Sequence, residues 1–339
     1  MARMAEGVRL CMFAFGGESR IGAAVGGKVA DLTRAYALSL SGTGPEEALA
    51  RACHDVPQTV EASLRWPDLA RRVRGEALRA LRRAGRDRRF DGAPVLHDPA
   101  ALRFLPPLRP PRVLCMARNY EEHGKEFEKH LKMRRDRFTL FGFLKPHTAV
   151  QGAFDPVAVP PSVEKLDYEI ELAVVIGKGG RNIPRRQAMQ HVAGYTIVND
   201  MSDRAGIPPG GTAGGRIDWF KMKARDGFAP LGPYLLLAGE GIDPYKMRLR
   251  LWVNGQLRQN ALAREMVHKI DAQIAFFSQI VTLQVGDVIA TGSPAGNAPK
   301  WGQWLKPGDD VMGEVQGIGR QRFRIVRDDG RYRTSWSLT

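Results

Sequence analysis

Short apolar runs, some continuous and some alternating with polar residues, recur along the chain and predict many β-strands. The run at residues 8–15 predicts a strand, and glycine-containing turns separate it from further strands at 20–25 and 28–32. Residues 247–253 alternate cleanly, and the Asn254-Gly255 pair that follows is a strong hairpin signal. Strands joined by such turns, with few helices between them, favour a β-rich α+β roll over a doubly wound parallel sheet.

Helical patterns and a proline-rich connector indicate how the chain is divided. Its 339 residues allow one large domain or two modest ones. Residues 44–84 are rich in alanine, leucine and arginine and predict helices broken by prolines. The connector at residues 105–111 is the preferred boundary. We therefore predict a small N-terminal α/β domain at residues 1–108, without obvious chemistry, and a larger domain at 109–339.

The formal net charge of +15 raises the question of a nucleic-acid partner. Much of the excess comes from arginines at residues 71–89, where apolar residues keep near-helical spacing, so an amphipathic helix with a solvated basic face is predicted. Aromatic residues for base stacking are not interleaved there, and no nucleic-acid motif is present, so no nucleic acid is expected as a partner. Arginine-rich surface usage and attraction of an anionic substrate are the alternatives.

The remaining composition predicts a cytoplasmic protein without a membrane partner. Three scattered cysteines, Cys11, Cys53 and Cys115, lack metal or redox spacing. The apolar runs are strand-length, and the N-terminus lacks the apolar segment of a signal peptide.

An acidic pattern stands out in an otherwise apolar run at residues 167–177. If this run is a strand, Glu169 and Glu171 point to the same face, and Asp200 follows a second apolar run at 192–199. Neighbouring carboxylates in an enclosed site require neutralisation, which a divalent cation with oxygen ligands provides. The pattern predicts a Glu-Glu-Asp metal site, with solvated surface glutamates as the alternative.

A candidate acid–base pair lies in the polar run at residues 121–137, which is helix-like but interrupted by Gly124. In a helical turn His123 and Glu126 lie three residues apart on one face, where a carboxylate can orient an imidazole as a general base. A surface contact between them is the alternative. The charged residues at 129–137 could form a mobile lid.

Two further segments are polar or glycine-rich. Residues 208–215 lack the spacing of a dinucleotide or phosphate loop and are interpreted as a flexible loop. Residues 218–233 are dense in cations and aromatics, and Lys221 and Lys223 would share a face if they lie on a strand. Solvated surface lysines are the alternative.

Six blocks in order resemble the fumarylacetoacetate hydrolase family. They are RNYEEHGKE at 118–126, YEIELAVVIG at 168–177, NDMSDR at 199–204, KARDGFAPLGP at 223–233, WVNGQLRQ at 252–259 and GDVIATGSPAG at 286–296. The resemblance runs from about residue 112 to about 326, and the N-terminal part is similar to the small first domain of longer bacterial members. It implies a mixed β-roll or sandwich catalytic domain.

The resemblance also implies roles for individual residues. It places a Mg²⁺ or Mn²⁺ ion, replaceable by Ca²⁺ in crystals, on Glu169, Glu171 and Asp200. It assigns His123 and Glu126 to a general-base dyad in a lid segment, and Lys223 to the substrate oxyanion. Substrate contacts are implied for Arg118, Tyr120, Gly292 and Ser293. Family members are expected to bind small anionic 2-oxo acids and to form homodimers.

The implied reaction is metal-dependent hydrolysis of a C–C bond in a 2,4-dioxo acid of the acylpyruvate or fumarylpyruvate type. Decarboxylation, isomerisation or hydration of a 2-oxo acid are alternatives within the family. A non-catalytic basic binding protein is the alternative from another class.

Departures from the family pattern concern the substrate end of the site. Met116 stands where the namesake enzyme has a further aspartate ligand, and Ile207 stands where it has a substrate-binding glutamine. Gly-Asn-Ala at 296–298 replaces the common Gly-Val-Gly. The metal and dyad residues are retained, and the acyl-group specificity stays open.

Overall fold

The computed structural model describes residues 7–40, 42–84, 89–131, 139–207 and 217–330. Within these ranges the helices are α1 (Leu32–Ala37), α2 (Pro45–Asp55), α3 (Val60–Arg65), α4 (Pro67–Ala84), α5 (Glu121–Leu131), α6 (Trp219–Lys223), α7 (Ile270–Ile280) and α8 (Ala298–Trp301).

The strands of the first half are β1 (Arg9–Phe15), β2 (Glu18–Val25), β3 (Lys28–Asp31), β4 (Arg89–Phe90), β5 (Ala93–Pro94), β6 (Leu96–His97), β7 (Arg103–Leu105), β8 (Val113–Met116), β9 (Gly142–Lys145), β10 (Val150–Gly152) and β11 (Val157–Val159). Those of the second half are β12 (Leu166–Asp167), β13 (Ile170–Ile176), β14 (Val192–Asn199), β15 (Ser202–Asp203), β16 (Ala229–Leu231), β17 (Leu235–Leu237), β18 (Arg248–Val253), β19 (Gln256–Leu262), β20 (Val288–Ala290), β21 (Asp310–Val315) and β22 (Gly319–Arg327).

One large sheet carries most of these strands. Counted within the described ranges it has 13 strands, with the order β6-β3-β2-β1-β17-β14-β13-β20-β8-β9, while β7 pairs with β1, and β16 with β14 and β10. A second sheet has the order β11-β22-β21-β18-β19. Most neighbours are antiparallel, and β8 with β20 is a parallel exception. The structure confirms the prediction of a β-rich α+β fold.

The central strand β13 is buried along its whole length because both of its faces are covered. On one face Ile170 and Leu172 share an apolar cluster with Leu249 and Leu251 of β18, so this core lies between the two sheets. On the other face Val175 belongs to a cluster that includes apolar residues of α1, α3 and α4. A strand enclosed on both sides explains why its sequence is almost continuously apolar.

The N-terminal part joins the same sheet rather than forming a separate one. Arg9 and Leu10 of β1 pair with Leu236 and Leu235 of β17, so the sheet continues across residue 108. One apolar cluster also includes residues from both sides of that position. The division into domains at 1–108 and 109–339 stays a prediction.

Several local predictions are confirmed. The Asn254-Gly255 turn connects β18 and β19, and both residues have positive φ angles (49° and 78°), as a tight hairpin requires. The arginine-rich segment forms α4 as far as Ala84, and this helix buries Val73, Ala77 and Leu81 and exposes most of its arginines, whereas Arg89 lies in β4. Within the described residues, no helix combines the length and the apolar character needed to cross a lipid bilayer.

Three local predictions are wrong. The strand predicted at 167–177 is split, because Tyr168 and Glu169 lie between β12 and β13. Helix α5 continues through Gly124, whose N–H donates to the Tyr120 carbonyl at 3.0 Å. Lys223 lies in the helix α6 rather than in a strand. Most of the predicted lid (132–137) and the glycine-rich loop (208–215) lie outside the described residues.

Gly194 is a position where backbone proximity forbids a side chain. A Cβ atom there would lie 2.3 Å from the carbonyl oxygen of Leu236, on β17. We expect Gly194→Ala to lower the free energy of unfolding by about 1–3 kcal/mol, the usual effect of overpacking, as measured by urea denaturation. Gly239→Ala is the control, since a Cβ there meets nothing within 4 Å. Equal stability of the two variants would contradict this expectation.

Candidate metal centre

Three buried carboxylates meet where two central strands lie side by side. Pairing of Ile170 with Asn199 in β13 and β14 brings Glu169 and Glu171 next to Asp200, whose N–H donates to the Glu169 carbonyl at 2.8 Å. One oxygen from each carboxylate lies within 4.8 Å of the others. The structure thus brings together the three residues that the sequence predicts as a metal site, in the interior rather than on a solvated surface.

Two lysines contact this cluster. The Nζ atom of Lys223 donates to Oε2 of Glu169 at 2.8 Å and to Oδ2 of Asp200 at 2.5 Å. The Nζ atom of Lys145 lies 3.0 Å from Oδ1 of Asp200 and donates to the carbonyls of Met201, Lys223 and Phe228. These three carbonyl acceptors use the three protons of the ammonium group, so its contact with Asp200 is chiefly electrostatic.

An arginine binds a further buried carboxylate beside the cluster. The guanidinium of Arg204 donates to Oδ2 of Asp167 at 2.8 Å and also to Glu169. Burial by itself would raise the pKa of Glu169, but Arg204 and Lys223 outweigh it and lower that pKa to about 2. Glu169 is therefore a carboxylate at neutral pH.

Glu171 has a different environment. Its Oε2 atom accepts the backbone N–H of Gly292 at 2.7 Å. Burial, together with the negative charges of Asp200 and Glu169, raises its pKa well above the usual range. A divalent cation between the three carboxylates would supply the missing positive charge, and an all-oxygen donor set suits Mg²⁺ or Mn²⁺. The residues present therefore fit such an ion.

His123 lies on α5 beside the carboxylates. It is buried, and its Nε2 atom is 3.8 Å from Oε1 of Glu169. Burial and the nearby cations Arg204, Lys223 and Arg118 lower its pKa well below 6.5, so the imidazole is neutral at pH 7. A neutral imidazole is the form that can accept a proton.

Glu126, three residues further along α5, has other partners. Its Oε2 atom accepts the N–H of Gly296 at 2.7 Å, and its Oε1 atom lies 3.0 Å from Nζ of Lys300. Both carboxylate oxygens of Glu126 therefore face groups other than His123. The predicted pairing of Glu126 with His123 stays a prediction.

The loop after β20 encloses the carboxylates from one side. Gly292 has a φ of +100°, and a Cβ there would lie 2.5 Å from Cβ of Asn119, so only glycine fits. The Nε2 group of Gln259 donates to Oγ of Ser293 at 2.8 Å, and its Oε1 atom accepts the N–H of Ile170 at 3.0 Å. Asn297 donates to Oε1 of Glu169 at 3.0 Å.

Sequence reasoning did not assign site contacts to Lys145, Arg204, Gln259 or Asn297. A signal existed for Asn297, which replaces the valine common in the family. For Lys145 the signal is weaker, since it is a lysine that ends an apolar run.

A cavity opens onto the cluster. Its wall is formed by Met116, Ala117, Arg118, His123, Phe143, Glu169, Glu171, Asp200, Arg204, Trp219, Lys223 and Ser293. Arg118 has a φ of +52°, which is unusual for a residue with a side chain. Tyr120 is buried in the apolar core, Gly292 contributes its N–H to Glu171, and the substrate contacts predicted for both residues stay predictions.

Fold and site together define a candidate divalent-metal enzyme with a neutral histidine beside its carboxylates. The chain belongs to the fumarylacetoacetate hydrolase family, because the family model described as fumarylacetoacetate (FAA) hydrolase C-terminal matches residues 112–326. Human oxaloacetate tautomerase FAHD2B, mitochondrial, is 37% identical over 219 residues, which are 64% of this chain and 67% of that protein. The predicted family resemblance is confirmed.

Solved structures of related enzymes are similar over nearly the whole chain. Maleylpyruvate hydrolase from Sphingobium sp. SYK-6 is 28% identical with a TM-score of 0.69, covering 94% of this chain and 99% of that one. The same enzyme has been solved in complex with manganese(II) and pyruvate. The 2-hydroxyhepta-2,4-diene-1,7-dioate isomerase from Mycobacterium marinum is 25% identical with a TM-score of 0.65, covering 95% and 99%. These relatives support family-type metal-dependent catalysis.

Lys145 offers a test of how the cluster is supported. Lys145→Met removes a cation beside Asp200 and leaves three buried carbonyls without their donor. We expect the free energy of unfolding to fall by about 3–5 kcal/mol, as for other broken buried ion pairs. Chemical denaturation measures this loss. Lys246→Met is the control, because that lysine is exposed. A variant as stable as the control would show that Lys145 does not support the cluster.

Metal binding should depend on pH through Glu171. Below its raised pKa this carboxyl is protonated without metal, so an incoming cation must displace a proton. We expect Mn²⁺ affinity to rise with pH, by up to about tenfold per unit, until that pKa is passed. Calorimetric titration at several pH values measures the slope. Glu171→Gln should flatten it, whereas the exposed control Glu240→Gln should not. A pH-independent affinity in the unmodified protein would contradict the expectation.

Proposed function

We propose that the protein is a divalent-metal-dependent hydrolase that cleaves a C–C bond in a 2,4-dioxo acid. The observation that carries this proposal is the neutral, buried His123 beside the carboxylates Glu169, Glu171 and Asp200 at one cavity. These carboxylates would hold Mg²⁺ or Mn²⁺. When bound, the ion would polarise the 2-oxo group and stabilise the enolate released by cleavage.

The protein's own residues would perform the proton transfers and hold the substrate. His123 would take a proton from water, whose oxygen then adds to the distal carbonyl carbon. The bond from this carbon to the adjacent methylene would break, which yields a carboxylic acid and the enolate of pyruvate. Proton transfer by a positioned base contributes about 10²–10⁴-fold.

Other side chains would bind charge as it develops. Lys223 and the Ser293 loop would stabilise the oxyanion, where a single donor is worth about 10²–10³-fold. Arg118 would bind the substrate, and Glu126 would orient His123. The same family resemblance extends the proposal to a cytoplasmic homodimer that takes small anionic 2-oxo acids.

A second candidate is isomerisation or tautomerisation of a 2-oxo acid, with decarboxylation as a further variant. The named isomerase and tautomerase among the relatives favour this alternative. The same neutral His123 could move a proton between carbon and oxygen without any attack by water. A non-catalytic basic binding protein is the distant alternative, and the enclosed carboxylate cluster argues against it.

Product analysis with Mg²⁺ and Mn²⁺ tests the proposal. We expect acetylpyruvate to be cleaved to acetate and pyruvate, and His123→Gln to lower kcat by about 10²–10⁴-fold while Mn²⁺ still binds. Glu169→Gln should abolish turnover with either metal, and the exposed control Glu240→Gln should not. If acetylpyruvate is not cleaved and only release of CO₂ from oxaloacetate or keto–enol exchange is seen, hydrolysis is the wrong assignment.

A further inference from the structure

A row of aromatic side chains leads from the carboxylate cluster toward the surface. The Nζ atom of Lys223 lies 4.9 Å from the ring centroid of Phe143. Phe143 stacks on Trp219, with centroids 5.0 Å apart and ring planes 28° apart. Trp219 lies 5.1 Å from Phe141. Phe143 and Trp219 are half-buried, whereas Phe141 is 37% exposed, so the row extends outward. We name Phe141, Phe143 and Trp219 the aromatic row.

Local structure holds the aromatic row in place. Phe141 immediately precedes β9 and Phe143 lies within it, two residues apart, so their side chains share one side of the chain if the extended backbone continues to Phe141. Trp219 opens α6, whose preceding Asp218 accepts the N–H of Lys221 at 2.9 Å. Lys223 lies four residues after Trp219 on the same helix face. The helix therefore presents a carboxylate-binding lysine and an aromatic ring to the same cavity.

One part of the cavity wall is apolar. Phe143 and Trp219 both line the cavity, and Met116 and Ala117 extend its apolar part. The faces of aromatic rings carry partial negative charge and offer no donor to a carboxylate. A carboxylate placed against these ring faces would lose hydration without gaining a donor from them, whereas an aryl group would gain stacking contacts. The apolar wall is thus suited to the uncharged end of a ligand.

We propose that the aromatic row receives the distal acyl substituent of the substrate and selects an aryl or other apolar group over one that bears a carboxylate. This rests on the proposed function, which puts the 2-oxo carboxylate end at Glu169, Glu171 and Asp200. Arg118 is the cavity cation that could instead bind a distal carboxylate, and its charge acts on His123. The substrate class would then be an aroylpyruvate or a related acylpyruvate, rather than a dicarboxylate such as maleylpyruvate.

Binding of inert 2-oxo acids to the Mn²⁺-loaded protein tests this without turnover. 2-Oxo-4-phenylbutanoate and 2-oxoglutarate share the 2-oxo acid end, differ at the distal end, and lack the 4-oxo group required for hydrolysis. Calorimetry should show that the phenyl ligand binds at least about tenfold more tightly. Equal or tighter binding of 2-oxoglutarate would overturn this inference but not the proposed function. Failure of both ligands to bind would overturn the proposed function with it.

Substitutions in the cavity wall test which residues cause the preference for the phenyl ligand. Trp219→Ala should weaken binding of the phenyl ligand by about tenfold and leave that of pyruvate unchanged, and Phe143→Leu should act in the same direction. Phe220→Ala is the matched control, because Phe220 is the next residue along but is 81% exposed. If Trp219→Ala and Phe143→Leu lower the affinity for the phenyl ligand and for pyruvate equally, the proposal is contradicted. A preference for 2-oxoglutarate that disappears in Arg118→Gln would assign the distal end to Arg118 instead.

Discussion

Buried charges of both signs meet at one point in this protein, and the arrangement of the site depends on their balance. Removing an ion from water costs several kcal/mol unless oppositely charged groups and hydrogen bonds replace the solvent. Among the described residues whose side chains are buried at the site, the acidic groups outnumber the basic groups by one, and the partly exposed Arg118 is not counted. The carboxylates are Asp167, Glu169, Glu171 and Asp200, and the cations are Lys145, Arg204 and Lys223. The excess of acidic groups is reflected in the raised pKa of Glu171. A divalent cation bound there would offset this excess.

Both sheets contribute residues to the site. The large sheet supplies Glu171 from β13, and Glu169 and Asp200 directly flank β13 and β14, while Gln259 reaches from β19 of the second sheet. Gln259 contacts both the start of β13 and the loop at Ser293, so it couples the second sheet to the cavity wall. Asn297 on the same loop donates to Glu169. Hydrogen bonds to buried groups therefore help to fix this loop.

The reactions named for the relatives differ, although their folds are alike. A bound ion that polarises a 2-oxo acid can serve hydrolysis, isomerisation or tautomerisation, so the carboxylate cluster alone does not choose between them. The choice depends on where His123 delivers a proton and on what the far end of the cavity accepts. The aromatic row and Met116 differ in chemistry from the carboxylate end. They are therefore the part of the site where substrates would be distinguished.

The sequence by itself was sufficient to determine the elements that depend on residues close together in the chain. Alternating residues and the Asn254-Gly255 turn were sufficient for the hairpin, and apolar spacing was sufficient for α4. The acidic pattern on the apolar run and the family blocks were also sufficient to name Glu169, Glu171 and Asp200. Tertiary structure alone decided that these glutamates are buried, because enclosure comes from distant segments. It also decided that Lys145 and Asn297 contact the cluster, since hydrogen bonds between residues far apart in the chain leave no periodic pattern in the sequence.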